Sequence, residues 1–592
     1  MPKYKYITKF LIWRYKHISN KNFVFILSIL VGLLAGLASV ILKNITFYIK
    51  SFVNLGITFQ TQQLYFIIPF IGLLLVWLCF KYLLKSKPDH AIPSILFALS
   101  KKASIIPFKK IYHPLITAPL TVGFGGSVGL LGPAIGSGAA ISSNLGQLLH
   151  LDRKTKTLLI SCAAAGAIAS IFKSPVAAII FAVEVFSLDL TISSLLPLLL
   201  ASISSVLTSY FFMGDELLFD FKLIEDFKLK DTIFFIILGI GTGIASNYFN
   251  KIYFLTTRLF QKINNPFLKL IFGGLFLGVL IYAIPPLYGE GFSFINNLLS
   301  DHHIAALGQT PFDGYIDNIW VVIGLLSGII VFKAIAMSTT LAIGGVGGII
   351  IPTMVMGSTL GNVIAKIINN SGLGVHVSES NFTLVGMAGL IAGVIHAPLT
   401  AIFLIAEITG GYTLFIPLMI TVVVSFIITK NTSEHTIYTK KLAEKGDLLT
   451  HDKDESVLKL MSLDKVIEQN FIQLRPEMSL REMLYDGVAK SSRNLFPVID
   501  ENSKMSGVIL LDNIRECMFN QELYDKTRVS DYMIQPPEYI YYESDDMKTV
   551  MKKFQNTSAW NLPVIKNNTY YGFISKSKLL TSYRRQLINY TK

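Results

Sequence analysis

The sequence predicts an all-α polytopic membrane protein, built from two repeated halves with broken helices and followed by a soluble α/β tail. Three observations carry that fold class. Of 592 residues, 52% are hydrophobic and only 15% charged, against about 25% charged in an average soluble protein. The windows Phe23 to Ile49, Tyr65 to Leu84, Ile233 to Phe260 and Ile319 to Ile343 are long enough to cross a hydrocarbon core, which takes about 20 residues of helix. Residues 174–184, SPVAAIIFAVE, align without a gap to residues 397–407, APLTAIFLIAE. A chain of this length exceeds the roughly 100–200 residues of one domain, so at least two units are expected.

The elements follow in order. Residues 1–22 hold Lys3, Lys5, Lys9, Arg14, Lys16 and Lys21 with no Asp or Glu, which by the positive-inside bias makes them a cytoplasmic N-terminal segment. The formal charge of +14 would suit nucleic acid, but the basic residues sit beside apolar segments, and membrane topology explains them without a nucleic-acid partner. The first apolar run is longer than the core of a signal peptide and lacks a small-residue cleavage site. Residues 23–445 form the predicted membrane domain, and residues 446–592 a soluble tail with both termini cytoplasmic. Cys79, Cys162 and Cys517 are scattered; they suggest no disulfide framework and no metal-ligand spacing, and read as buried thiols.

Within the membrane domain, Gly and Pro interrupt several spans, as in GGSVGLLGP, IFKSP, GGVGGIIIP and VIHAP. Broken helices are tolerated at membrane depth only where their free backbone groups are buried in protein or line a polar cavity. Pro133 precedes Pro175 by 42 residues, Pro352 precedes Pro398 by 46, and each repeat copy places a glutamate nine positions after its second proline. Interrupted helices at matching points of a duplication point to a substrate site at the repeat interface. A helix that starts inside the membrane offers unpaired N–H groups and the positive end of its dipole, so it favours an anion without a charged side chain. Glycine lets the backbone approach the ion, and proline in the first turn forfeits a donor the helix would not have used. The plainer alternative, that small residues only let helices pack closely, fits one glycine-rich turn better than it fits two matched ones.

With these residues in view, the chain resembles the CLC chloride channels and chloride/proton exchangers from about residue 23 to residue 592. Gly129-Leu130-Leu131-Gly132-Pro133 sits where that family has G-K/R-E-G-P, and the turn from Gly348 to Pro352 where it has G-x-F-x-P; DHAIP at 89–93 matches G-S-G-I-P loosely. The resemblance implies the CLC fold, a homodimer with one pathway per subunit, and anion-binding positions at His90, Ile349, Ile350 and Tyr438. The departures bear on mechanism. In the family a gating glutamate precedes the Gly-Pro; here that position is Leu131. A second proton glutamate would follow Glu184, and here Val185 stands there. Neither side chain titrates, which implies a passive anion pathway in place of exchange, although a leucine could also plug the pore and another group could take over coupling.

His90 stands where the family offers a small hydroxyl, and an imidazole there can donate a hydrogen bond and titrate near neutrality; a protonated His90 would attract anions, while a neutral ring bonded to Asp89 or backbone is the quieter alternative. Ile350 replaces the pore phenylalanine, and its amide can still face an ion. Tyr438 reads as the terminal pore tyrosine or as an interfacial anchor. Glu184 and Glu407 are functional candidates as intramembrane carboxylates, but their repeat-related placement suggests bonding to loop amides that ties the halves together. Lys333 and His396 are single polar groups with no visible partner, read as structural.

The tail carries its own repeat, NLFPVIDENSKMSGVILLDNIR (494–515) and NLPVIKNNTYYGFISKSKLL (561–580). Each reads as an apolar strand opened by Pro, a polar turn, a second strand from Gly507 or Gly572, then a helix. This resembles the paired CBS modules of many CLC proteins, in which an acid and a Ser/Thr hold an adenosine ligand. Asp512 keeps the acid in the first copy and Ser575 the hydroxyl in the second, while Leu510 and Lys578 replace their counterparts, so ATP, ADP or AMP binding and a purely structural role both stay open. No nucleophile–base pair, metal cluster or phosphate loop is present, which makes an enzyme a poor fit. The expected protein is an integral membrane protein of the plasma (inner) membrane that passes chloride or a similar small anion through the lipid bilayer and requires no cofactor. Two alternatives stay open: a proton-coupled exchanger using other residues, and a non-conducting nucleotide sensor.

Overall fold

The structure is a computed structural model, and it describes residues 5–59, 66–188, 191–214, 219, 227–300, 307, 318–372, 374–444, 457–458 and 461–591. The chain divides into two compact units, residues 1–448 and 449–592.

The first unit is helical throughout. Its helices are α1 (Lys5–His17), α2 (Asn20–Phe59), α3 (Ile68–Leu78), α4 (Ala91–Lys101), α5 (His113–Gly123), α6 (Leu131–Leu148), α7 (Arg153–Phe172), α8 (Pro175–Phe186), α9 (Ile192–Met213), α10 (Thr232–Gln261) and α11 (Pro266–Ala283). The second half continues with α12 (Phe292–Leu299), α13 (Ile319–Ala342), α14 (Ile350–Asn370), α15 (Glu379–Ile395), α16 (Pro398–Ile408), α17 (Phe415–Thr432) and α18 (Lys440–Glu444). Among the described residues, eight helices are long and apolar enough to span a membrane. The window from Tyr65 to Leu84 is not one of them: it breaks into α3 and a π-helical turn at Cys79–Leu83. Such wide turns occur mostly as local interruptions of an α-helix.

The core of this unit lies where the short, interrupted helices meet. In α14 and α15 nearly every residue is buried, although both carry Ser, Thr and Gly. Small residues let them touch backbone to backbone: a Cβ on Gly361 would lie 1.9 Å from the Phe382 carbonyl oxygen. Close approach of that kind substitutes van der Waals packing for the hydrophobic drive that is missing between helices in lipid. The outward faces of α2, α9, α10 and α11 carry exposed Leu, Ile and Phe, as a surface turned toward hydrocarbon requires.

The two halves are built as antiparallel copies. Gly125 and Gly344 occupy matching turns at φ 92° and 106°, where glycine alone is unstrained. Thr121 Oγ1 accepts from Val346 N–H at 3.1 Å and Thr340 Oγ1 from Ser127 N–H at 3.3 Å, so each half supplies the same threonine to the other half's turn. These reciprocal bonds relate the two turns by an approximate two-fold axis.

The second unit is α/β. Strand β1 (Ile467–Glu468) joins β4 (Ile540–Tyr541), β5 (Asn561–Lys566) and β6 (Thr569–Ser575) in the order β1-β6-β5-β4, and β2 (Leu495–Ile499) pairs with β3 (Met505–Leu510). Helices α19 (Met547–Thr557) and α20 (Lys576–Thr591) pack with the larger sheet. The two hairpins repeat in register, with Val498 opposite Gly507 and Val564 opposite Gly572. Each strand starts earlier than its proline or glycine: Pro497 and Pro563 lie inside β2 and β5, facing Val508 and Phe573. Each copy has its own apolar core, one around Phe496, Val498 and Ile509 and the other around Phe554, Val564 and Ile574.

Candidate functional site

Three helix starts in the first unit share one construction. In α4, α6 and α14 the first two residues are Ala91-Ile92, Leu131-Gly132 and Ile350-Ile351, and the third is Pro93, Pro133 or Pro352. A helix leaves its first N–H groups without intrahelical acceptors. Proline at the third position removes a donor and leaves the amides just before it turned outward. The starts of α6 and α14 are pinned to each other by a two-residue bridge, Gly129 N–H to Gly348 O at 3.0 Å and Gly348 N–H to Gly129 O at 2.6 Å. A Cβ on Gly348 would stand 2.7 Å from the Gly132 nitrogen, and one on Gly129 would meet Ile351 at 2.6 Å.

Beside this seam lies a cavity of about 30 Å³, lined by His90, Ala91, Ile92 and Pro93 of the α4 start, Gly132, Gly347, Gly348 and Ile349 of the two glycine turns, and Leu341, Ile437, Tyr438 and Tyr253. That exceeds the roughly 10–15 Å³ that a water-sized particle needs. Neither tyrosine hydroxyl has a hydrogen-bond partner among the described residues, so two O–H donors join the helix-start amides around the same space. Such a group of donors with no carboxylate among them favours an anion.

His90 caps α4 with extended backbone (φ −90°, ψ 122°) and no side-chain capping bond. Its ring makes no hydrogen bond among the described residues, and Asp89 is taken by Lys110, which also bonds Ser94. Of the other expected positions, Ile349 and Gly348 line the cavity, whereas Ile350, Leu130, Leu131 and Gly129 do not. Leu131 is the first residue of α6 and only 2% exposed; Ile350, equally buried, opens α14. Val185 is partly buried near the end of α8.

Pro133 and Gly136 open onto a second, larger cavity of about 240 Å³ that shares Ala91 and Gly347 with the first. Its wall includes Lys87, Lys109 and Lys110, with Ser86, Ser94 and the carboxylate of Asp89, which pairs with Lys110. Three ammonium groups against one carboxylate leave the wall net positive, and a net positive cleft concentrates anions next to the small cavity.

Glu184 and Glu407 clamp the repeats. Glu407, at the end of α16, accepts from Val176 N–H at 3.0 Å, Ala177 N–H at 2.9 Å and the Ser174 hydroxyl, all at the start of α8. Glu184, near the end of α8, accepts from Leu399 N–H at 3.1 Å and from Thr400 N–H and Oγ1 at 2.9 and 2.6 Å, at the start of α16. Each carboxylate thus satisfies the orphan amides of the other half's helix.

Two residues passed over in the sequence belong here, and one was misjudged. Tyr253 sits amid a long apolar helix with no motif to mark it. Glu290, in the loop before α12, accepts from Leu130 N–H at 2.9 Å although 160 residues separate them. Lys333, expected to lack a partner, donates from Nζ to Leu287 O at 3.2 Å and Gly289 O at 3.1 Å in that same loop. His396 ends α15 in the left-handed region at φ 54°, with Nε2 buried and unbonded and its ring edge-on to Phe426. In the tail, Asp512 pairs with Arg515, and Ser575 Oγ accepts from Lys578 N–H at 3.2 Å. Among the described residues, no group of three His, Cys, Asp or Glu could hold a metal ion.

Comparison with known proteins agrees with this architecture. Residues 71–430 match the family described as voltage gated chloride channel, and residues 529–585 match the CBS domain. A putative chloride channel protein ClcB-like from Ralstonia nicotianae is 25% identical over 386 residues, covering 64% of this chain and 86% of that protein. Chloride channel protein CLC-f of Arabidopsis thaliana is 24% identical over 456 residues, covering 68% of this chain and 57% of that one. Among solved structures, a slow cyanobacterial Cl⁻/H⁺ antiporter aligns with a TM-score of 0.60 at 21% identity, over 72% of this chain and 98% of its own. A eukaryotic CLC transporter aligns at 0.58 and 16%, over 95% of this chain and 99% of its own. The family match covers more than half of the 592 residues, so this integral membrane protein with a C-terminal CBS pair belongs to the voltage gated chloride channel family and serves anion transport.

Proposed function

We propose that the protein is a passive, uncoupled pathway for chloride or a similar small anion. One observation carries the reading. Leu131 and Val185, which cannot titrate, occupy the two positions where the family's exchangers hold proton-carrying glutamates, while the anion-favouring donors around His90, Ile349 and Tyr438 are retained. Gly129, Leu130, Gly132, Pro133, Gly348, Ile350 and Pro352 shape the turns that present those donors, with Ile350 contributing its amide. The transmembrane domain runs over 23–445, both termini are cytoplasmic, and the functional particle is a homodimer.

The test is anion efflux from liposomes that hold the purified protein, with valinomycin and potassium setting the voltage and a pH electrode outside. Chloride leaves without proton movement beyond leak. Proton uptake locked to chloride efflux would establish an exchanger instead, a second reading favoured by the carboxylate of Glu290 at the start of α6. No flux at any voltage or pH would make the protein a non-conducting sensor. For the tail, binding of ATP, ADP or AMP through Asp512 and Ser575 requires Asp512 to leave Arg515, and calorimetry of the full-length protein with and without Asp512→Asn checks it.

A further inference from the structure

Helix α1 leads into α2 through Ile18 and Ser19 alone, a link of at most about 7 Å. The segment that follows, Asn20–Asn54, is long and apolar enough to cross a membrane, so α1 is tethered at the bilayer surface. Nor does it swing freely. Phe23 and Leu27 of α2 and Leu159 of α7 form a buried cluster, and Ile18, Leu145 and Leu149 pack against it. Arg14 lays its guanidinium over the Phe23 ring at 4.0 Å. The corner between α1 and α2 is thus seated on the turn between α6 and α7.

The part of α1 that the corner leaves outside is rich in rings. Phe10, Ile12, Trp13 and Tyr15 are 44%, 54%, 51% and 78% exposed. Phe10, Trp13 and His17 stack as a ladder, with successive ring centroids 6.2 and 5.2 Å apart. Lys9, Trp13 and Lys16 stand at i, i+4 and i+7, which puts one indole between two exposed lysines on a single helix face. Tryptophan and tyrosine settle at headgroup depth because each joins an apolar body to a polar edge.

The charge of this segment has no counterpart within the protein. Lys9, Arg14, Lys16 and Lys21 form no ion pair among the described residues, and the first acidic residue of the chain is Asp89. Asp152, at the turn beneath the corner, is engaged as the cap of α7 and accepts from Thr155 N–H at 3.1 Å. Arg14 Nε is buried without a hydrogen-bond partner, so Phe23 orders a guanidinium whose donors the protein does not use. A planar fork of donors fits the oxygens of a phosphate, and ammonium groups meet the same phosphate as point charges. A soluble polyanion would have to reach this patch across the bilayer surface, where lipid headgroups already lie.

We propose that α1 is an interfacial helix that binds anionic phospholipid headgroups, with Trp13 and Tyr15 at headgroup depth and Lys9, Arg14 and Lys16 on the phosphates. In helices of this kind attraction to anionic lipid adds to apolar burial. The inference goes beyond anion transport and does not depend on whether the pathway is coupled to protons.

The experiment uses the full-length protein in vesicles of equimolar phosphatidylcholine and phosphatidylglycerol, with bromine, a short-range quencher of indole fluorescence, on the acyl chains of one lipid at a time. Trp13 is one of four tryptophans, so its share of the quenching is the difference between the wild type and Trp13→Phe. Brominated phosphatidylglycerol quenches that share about twofold more than brominated phosphatidylcholine, and high salt removes the difference. In a variant with Lys9→Gln, Arg14→Gln and Lys16→Gln the two lipids quench equally. The salt titration is made on the wild type, so the test stands even where the triple variant does not fold. Equal quenching in the wild type at low salt, or a preference that survives high salt or the triple substitution, overturns the selection of anionic lipid. Absence of any Trp13 quenching places α1 off the bilayer and overturns the proposal outright, leaving the aromatic face to a protein partner.

Discussion

Tyr253 and Tyr438 reach one cavity from α10 and from the turn before α18, and the pair illustrates how the site divides its work at the residue scale. In the proposed site backbone amides supply the field, and the two phenols supply directional donors that no other group among the described residues uses. A hydrogen bond to a charged partner contributes about 1.5–3 kcal/mol, so Tyr253→Phe and Tyr438→Phe each weaken chloride binding by about tenfold or more, read by isothermal titration in detergent. Equal losses would show that the two donors share one ion; a loss for Tyr438 alone would place Tyr253 outside the site. Leucine at 131 has a different meaning from the family's glutamate: it is packed into the core, so its own side chain neither binds an ion nor offers one a competitor.

At the scale of elements, the decisive objects are helix ends. Glu184 and Glu407 act as caps delivered across the repeat interface, and each satisfies three donors at a helix start. Glu407→Ala leaves the amides of Val176 and Ala177 and the Ser174 hydroxyl without their acceptor. Buried unsatisfied donors cost about 1–3 kcal/mol each, and Ser174 and Ala177 are fully buried, so the unfolding temperature in detergent falls by several degrees; an unchanged value would mean that water replaces the carboxylate. Much of this level was legible in the sequence. The duplication was visible as an ungapped alignment, the broken helices as Gly and Pro at matched points, and the role of the paired glutamates as a consequence of their equivalent positions. Glu290 was not legible, because it belongs to neither repeat copy and meets Leu130 only through the path of the folded chain. Tyr253 was hidden for a related reason: in an apolar helix a lone tyrosine carries no pattern. The extra residues at the starts of β2 and β5 escaped because proline was taken to open a strand, whereas a short hairpin tolerates it inside.

At the scale of the whole molecule, each compact unit has its own core, and every residue of the small cavity falls between His90 and Tyr438. Truncation after Leu448 therefore preserves anion flux in liposomes, and a complete loss would assign the tail a part in conduction. The seam between Gly129 and Gly348 has a consequence of another kind. At these two glycines the turns are joined by main-chain hydrogen bonds and packed against Ile351 and Gly132, so there is almost no room for a first change on either side: adding even one methyl group presses it into the opposite copy. In a saturating mutational scan these positions would form an interlocked pair, intolerant singly and rescued only by partners that give way together. At this seam the two halves of a duplicated protein can change only as one inheritance.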